Sequence, residues 1–236
     1  MHHFHWCHSY IVYLPLENNG KTEYNLDIPK ISKEVKQILK DTRLNSRTKK
    51  LFNKYLTKDN VIIDNANTKP MYYDVNQDKI IINPKHKDFK YYNLNESLSH
   101  EIIHMIEKRN KIDINIDAEL RRLEIELNVN SKKYNNLFNN PQYQNNMCLS
   151  DLFSAISNNK IKGNFYHSSK YWLDNDKRIS EITANIETIY LNKDTKALKV
   201  INDIKTLEDI KKKVVNKYNG FTKWNNEFNW WIYKEI

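Results

Sequence analysis

Apolar residues recur at helical spacing through much of the chain. Ile31, Val35, Ile38 and Leu39 predict a helix over 31–41, and Leu51, Phe52 and Leu56 a second over 44–56, the two forming an antiparallel pair. The period then changes. Three short aromatic and β-branched runs follow at 61–63, 71–75 and 79–83, with Asn76, Gln77 and Asp78 as a turn and Pro70 and Pro84 as limits. They predict a small antiparallel sheet with a hairpin. Helical spacing returns over 96–109, with Asn95 as the expected N-cap, and again over 117–127, 149–157, 179–190 and 207–218. The stretch 131–146, rich in Asn and Tyr, has no clear period and is expected to be a loop. Gly163 and Gly220 are expected in turns, and the tail with Trp224, Trp230 and Trp231 is expected to dock on the body. Helices segregated from a small sheet define an α+β fold.

Composition narrows the function classes. The 236 residues are 39% hydrophobic and 28% charged, with only 3 Gly and 5 Pro, so neither a disordered chain nor a flexible linker is expected. A mean hydropathy of -0.81 and the lack of a long uncharged apolar run exclude a membrane span. The net charge of +9 raises the possibility of a nucleic-acid partner. The lysines are scattered, however, and the one run, at 211–213, lies in a charged helical pattern that reads as a solvated face. No nucleic-acid motif is present, so such a partner is not expected. Two cysteines, Cys7 and Cys148, fit neither a disulfide framework nor a Cys-based zinc site, which points to a reducing compartment. The amino-terminal tract of His2, His3, His5, Cys7 and His8 lacks the features of a secretory signal and reads as a strand entry able to pick up metal adventitiously.

The informative segment runs Ser97-Leu98-Ser99-His100-Glu101-Ile102-Ile103-His104. On a helix, His100 and His104 project from one face and can bind one Zn²⁺. Glu101, one step around, reaches a water on the metal rather than the metal itself. Two neutral nitrogens, an open position and a carboxylate to take a proton are what metal-assisted hydrolysis requires. Leu98, Ile102, Met105 and Ile106 form an apolar arc, with Ile103 at its edge and both histidines opposite. The helix can therefore bury one side and present the histidines to a cleft.

A catalytic zinc needs a third protein ligand. The metzincin spacing fails, because Glu107 and Asn110 stand where Gly and His would be required. The downstream candidates are Glu119, Glu124, Glu126, Asp151, His167, Glu181 and Glu187. Glu181 is favoured: it opens a helix in which Ala184 allows close approach to a neighbour, and Asn185, one turn on, can accept the second N–H of a ligand histidine. Glu119 ranks next and Glu187 third. A first-turn glutamate complementing its helix dipole is the competing reading of Glu181.

With these residues the chain resembles the zincin metallopeptidases, gluzincin type, although Asn185 stands where thermolysin-like enzymes have Asp. A closer resemblance covers Leu149-Ser150-Asp151-Leu152-Phe153-Ser154-Ala155, Gly163-Asn164-Phe165-Tyr166-His167, Tyr171-Trp172 and Ser180-Glu181. It is similar to metallopeptidase domains of bacteriophages and mobile elements, including those attached to Mu-type minor head proteins. Together with the active helix, the resemblance spans about residues 60–192. It implies a zincin-like fold in a single domain: a strand and helical pair in 1–58, a catalytic core in 59–192, and a helix with the Trp-rich tail in 193–236. It also implies an edge strand, at 73–75 or 80–83, that pairs with an extended substrate. His167 or Tyr166 would lie by the cleft as donor to the developing oxyanion, the competing reading being an aromatic cluster of Tyr166, Tyr171 and Trp172.

The function expected is zinc-dependent peptide hydrolysis, with Glu101 as general base, His100, His104 and Glu181 as ligands, and His167 assisting. Substrates would be proteins or peptides, among them phage structural proteins, and the location the host cytoplasm or the virion. The alternatives are a zincin-like module that keeps the fold without catalysis, against which the intact Glu101 argues, and a basic nucleic-acid binder.

Overall fold

The computed structural model describes residues 33–40 and 42–222. Within them the protein is mostly helical with one small mixed sheet, an α+β arrangement. The expected amino-terminal strand entry and the Trp-rich tail lie outside the described residues. After α1 (Lys33–Leu39) and α2 (Ser46–Tyr55) come β1 (Val61–Ile63), β2 (Met71–Asp74) and β3 (Lys79–Ile82). The chain continues through α3 (Leu94–Asn110), α4 (Asp117–Val129), α5 (Ser131–Phe138), α6 (Pro141–Gln144) and α7 (Met147–Ile156). It closes with α8 (Asn175–Asn192), α9 (Thr195–Asn202) and α10 (Lys205–Thr222). None of these helices is long and apolar enough to cross a membrane.

The sheet corrects the expected all-antiparallel arrangement. Its order is β1-β3-β2; β2 and β3 form the hairpin, but β1 runs parallel to β3, with Val61 opposite Ile80. Three apolar residues per strand specify burial without specifying a partner, and the link from β1 to β2 carries the chain across the central position that β3 later fills. β3 is therefore interior, which removes 80–83 as a substrate-binding edge and leaves β2.

α3 crosses this sheet and packs on α8, α2 and the strands. Leu98, Ile102, Ile103, Met105 and Ile106 are fully buried, each contributing about 1.5–3 kcal/mol by its transfer from water. Its register on the sheet is fixed at the far end, where Arg109 donates to Asp78 at 2.9 Å and to Asn60 Oδ1 at 2.8 Å. Asp78, with φ 54° at the hairpin, also accepts from the Tyr73 hydroxyl at 2.7 Å. Asp78 thus ties α3 to β2, and Arg109 ties α3 to the approach to β1.

The cap of α3 is Asn93 rather than Asn95. Asn93 and Glu96 form a reciprocal capping pair, with Asn93 Nδ2 donating to Glu96 Oε1 at 2.7 Å. Burial, reinforced by nearby Asp194, pushes the Glu96 carboxyl up to about 7. A raised folded-state value favours the fold below the unfolded value and withdraws that stability as pH rises through 7. Glu96→Gln, which can still cap, should raise the stability of the protein at pH 8 by roughly 1–3 kcal/mol and leave it unchanged near pH 4.5. Paired urea titrations at the two pH values check this.

Three further expectations are corrected. The supposed loop at 131–146 forms α5 and α6, because Tyr134 and Phe138, one turn apart, are buried and stack at 6.1 Å while Asn140 and Asn146 cap the helices that follow. Gly220 lies inside α10, where a Cβ would meet open space. α8 begins at Asn175, capped by Asp174, so Glu181 belongs to its second turn rather than its first. That removes the helix-dipole reading of Glu181. Gly163 does lie between helices, and the close approach there is severe: a Cβ would fall 1.8 Å from Ser150 Oγ. Ser150 uses that proximity to clamp Phe165, donating to its carbonyl at 2.8 Å and accepting from its N–H at 3.0 Å.

Candidate metal centre

α3 and α8 bring together residues that are about eighty positions apart in sequence. His100 Nε2 lies 3.0 Å from His104 Nε2 and 3.0 Å from Glu181 Oε2, and His104 Nε2 lies 3.5 Å from the same oxygen. The imidazoles meet edge to face, with centroids 4.6 Å apart, so both Nε2 atoms point into one small space. Around a tetrahedral metal with bonds of about 2.0–2.1 Å, donor atoms stand about 3.3 Å apart. The three observed separations bracket that value, and two nitrogens with one carboxylate suit a borderline divalent cation. Glu181 is almost fully buried and His100 nearly so.

Glu107, which sequence reasoning used only to exclude one spacing, holds His104 from behind. Its Oε2 is 3.2 Å from His104 Nδ1 and accepts from Ser180 Oγ at 2.5 Å; Oε1 accepts from Thr183 Oγ1 at 2.6 Å and from the Tyr218 hydroxyl. Burial works against the Glu107 anion, but His104 and these hydroxyls outweigh it and hold its carboxyl below the ordinary value. A carboxylate on the outer nitrogen fixes the ring and its tautomer, leaving Nε2 for the metal. His100 Nδ1 has no such partner among the described residues. Glu107→Gln should therefore weaken metal binding about 10–100-fold, and Tyr218→Phe less, as read by competition with a chromogenic chelator.

The same convergence governs the charges. Burial lowers the affinity of His104 for a proton, yet Glu181 and Glu107 on either side raise its pKa well above the ordinary value. Burial raises the Glu181 carboxyl, but His167, His104 and the histidine hydrogen bonds carry it well below the carboxylate range.

On the other side of Glu181, its Oε1 accepts from the Tyr171 hydroxyl at 2.8 Å and lies 3.7 Å from His167 Nε2. His167 Nδ1 is 3.0 Å from Asp151 Oδ1, and Asn185 donates to Asp151 Oδ2 at 2.8 Å. Asn185 thus orients Asp151, and through it His167, rather than a ligand imidazole; this corrects its expected role. Burial disfavours the His167 cation, but Glu181 and Asp151 outweigh it and push the pKa up to about 9. Tyr171 stacks on His167 at 4.3 Å and Trp172 meets both rings edge-on, so two members of the expected aromatic cluster gather around the histidine, while Tyr166 instead lies under Lys162, 5.5 Å from its ring centroid. Trp172 donates to Ser154, and Asn159, paired with Ser154, binds the His167 carbonyl and Ser169, pinning the segment.

Glu101 stays outside the triangle. Its Oε2 accepts from the backbone N–H of Tyr73 at 2.7 Å, on the edge of β2 away from β3. Of the other ligand candidates, Glu119 is engaged by Lys213 at 3.0 Å and Arg122 at 3.2 Å, and Glu187 by Thr222 at 3.0 Å; neither reaches the histidines. All the central groups line one cleft of about 1880 Å³, together with β2 and the segment carrying Tyr166 and His167. Comparison with protein families, curated proteins and solved structures finds no match to this chain.

Proposed function

We propose that this protein is a zinc-dependent metalloendopeptidase of the zincin type. The observation that carries the reading is the division of the α3 motif: the two histidines and Glu181 converge on one point, while Glu101 lines the same cleft outside that group, held by the Tyr73 N–H of β2. A structural zinc would use four protein ligands and no adjacent base.

Zinc bound by His100, His104 and Glu181 would supply a polarised carbonyl and a water of lowered pKa. Glu101 would accept the proton of that water and pass it to the leaving amine. The edge of β2 away from β3, whose Tyr73 N–H is held by Glu101, would orient an extended peptide through its other outward backbone groups. His167, aimed by Asp151 and adjacent to Tyr171, offers an N–H donor on the side of Glu181 away from the ligand histidines, where charge on the scissile oxygen can be met. The sequence resemblance would add proteins or peptides, phage structural proteins among them, as substrates.

Hydrolysis of an unstructured protein such as casein should vanish on chelation with dipicolinate and return with about one equivalent of zinc but not of magnesium, since a two-imidazole site suits zinc and not a hard oxygen-seeking cation. Activity unaffected by the chelator would contradict the reading.

A further inference from the structure

Glu181 divides its two oxygens between two groups of ligands. Oε2 faces His100 and His104, whereas Oε1 faces the segment after α7, where His167 Nε2 lies 3.7 Å away. His167 in turn meets Asp151 of α7, its Nδ1 standing 3.0 Å from Asp151 Oδ1. Asp151, His167 and Glu181 thus form a second cluster in the cleft, with one donor atom from each residue within 4.8 Å of the others. Atoms that share a cation with bonds of about 2.0–2.2 Å stand at most about 4.4 Å apart. A small turn of the His167 ring closes the set, and that side chain is 33% exposed while those of Asp151 and Glu181 are buried.

Both carboxylates are already aimed. Asn185 donates to Asp151 Oδ2 at 2.8 Å and leaves Oδ1 turned to His167. The Tyr171 hydroxyl donates to Glu181 Oε1 at 2.8 Å, which leaves that oxygen a second lone pair. Outer hydrogen bonds of this kind orient metal ligands. Among the described residues, the ionic partners of Asp151 and Glu181 are histidines alone, so protons on imidazoles supply their counter-charge. A cation that displaces the proton of His104 at the first cluster has the same exchange open to it at His167.

We infer that Asp151, His167 and Glu181 form a second divalent-cation site, joined to the first through the Glu181 carboxylate. Two carboxylates and one imidazole are a harder donor set than two imidazoles and one carboxylate, so this site accepts Mn²⁺ as well as zinc. It fills after the first, because its Glu181 oxygen already accepts a hydrogen bond and belongs to a carboxylate engaged by the first cation. Filling it takes the His167 N–H out of service, so the singly loaded protein is the faster form; that consequence rests on the metallopeptidase reading, and the site does not.

The test uses the full-length protein loaded with one zinc and dialysed against Mn²⁺, with bound metals counted by mass spectrometry and diffraction recorded on both sides of the manganese edge. The wild type should hold one manganese more than Asp151→Asn or His167→Phe, in each of which manganese affinity should fall by more than about tenfold while the zinc stays. The amino-terminal histidines and Cys7 are common to all three proteins, so the difference belongs to the cleft. The manganese peak should lie bonded to Asp151, His167 and Glu181, a result that does not depend on whether a variant folds. Equal manganese in all three proteins, or no peak at these residues, would overturn the inference. A protein that binds both metals and cleaves no casein at any loading would overturn the hydrolytic reading alone, whereas one that cleaves with a single zinc and takes up no second cation would overturn this site alone.

Discussion

Glu101→Gln should lower peptide hydrolysis by roughly 10²–10⁴-fold while the protein keeps its fold and its metal. The amide can still accept the Tyr73 N–H that now meets Oε2 at 2.7 Å, so neither the position of the side chain nor the seating of α3 on β2 is disturbed. Removed is only the capacity to take a proton. No ligand atom is lost, since the three converging donors belong to His100, His104 and Glu181. Zinc content and turnover measured on the same sample separate the two effects. A metal-loaded variant that still cleaves would show that Glu101 is not the base.

Glu181→Ala should have the opposite signature, with the metal lost first and activity lost as a consequence. It deletes one of three donors and leaves the Tyr171 hydroxyl and His167 facing an empty position, so the fall in zinc affinity should exceed the 10–100-fold expected of Glu107→Gln. Glu119→Gln is the matched control. That residue was the next candidate by sequence, but its carboxylate is held by Lys213 and Arg122, and its replacement should leave zinc affinity unchanged. Equal loss of zinc in both variants would point to global destabilisation instead.

These two residues also mark how far the sequence could be read. α3 was legible because its apolar stripe and its histidine pair agree on one orientation, and Leu98, Ile102 and Ile106 are indeed buried. Glu181 could be favoured because the small-residue helix around it can approach a neighbour closely. Periodicity conveys which side of an element is buried but not what lies against it, and the differences follow from that. β1 took a parallel partner that nothing in its three apolar residues specifies. α5 and α6 form from a stretch whose few aromatics are spaced by a single turn and whose many asparagines serve as caps. Glu107 was hidden because its importance comes from Ser180, Thr183 and Tyr218, which lie far along the chain. Its position three residues after His104 was the one signal available, since that spacing places both side chains on the same helix face. Asn185 could be placed by sequence on the right face of α8, but whether it meets an imidazole or Asp151 depends on how α7 packs against that helix.

The central claim is that a metal occupies the point where His100, His104 and Glu181 converge. Crystals of the full-length protein grown with one equivalent of zinc, with anomalous diffraction recorded on both sides of the zinc edge, test it most directly. The account predicts one strong peak about 2.0–2.2 Å from His100 Nε2, His104 Nε2 and a carboxylate oxygen of Glu181. A cleft without a peak, with zinc bound only by the amino-terminal histidines, would contradict it.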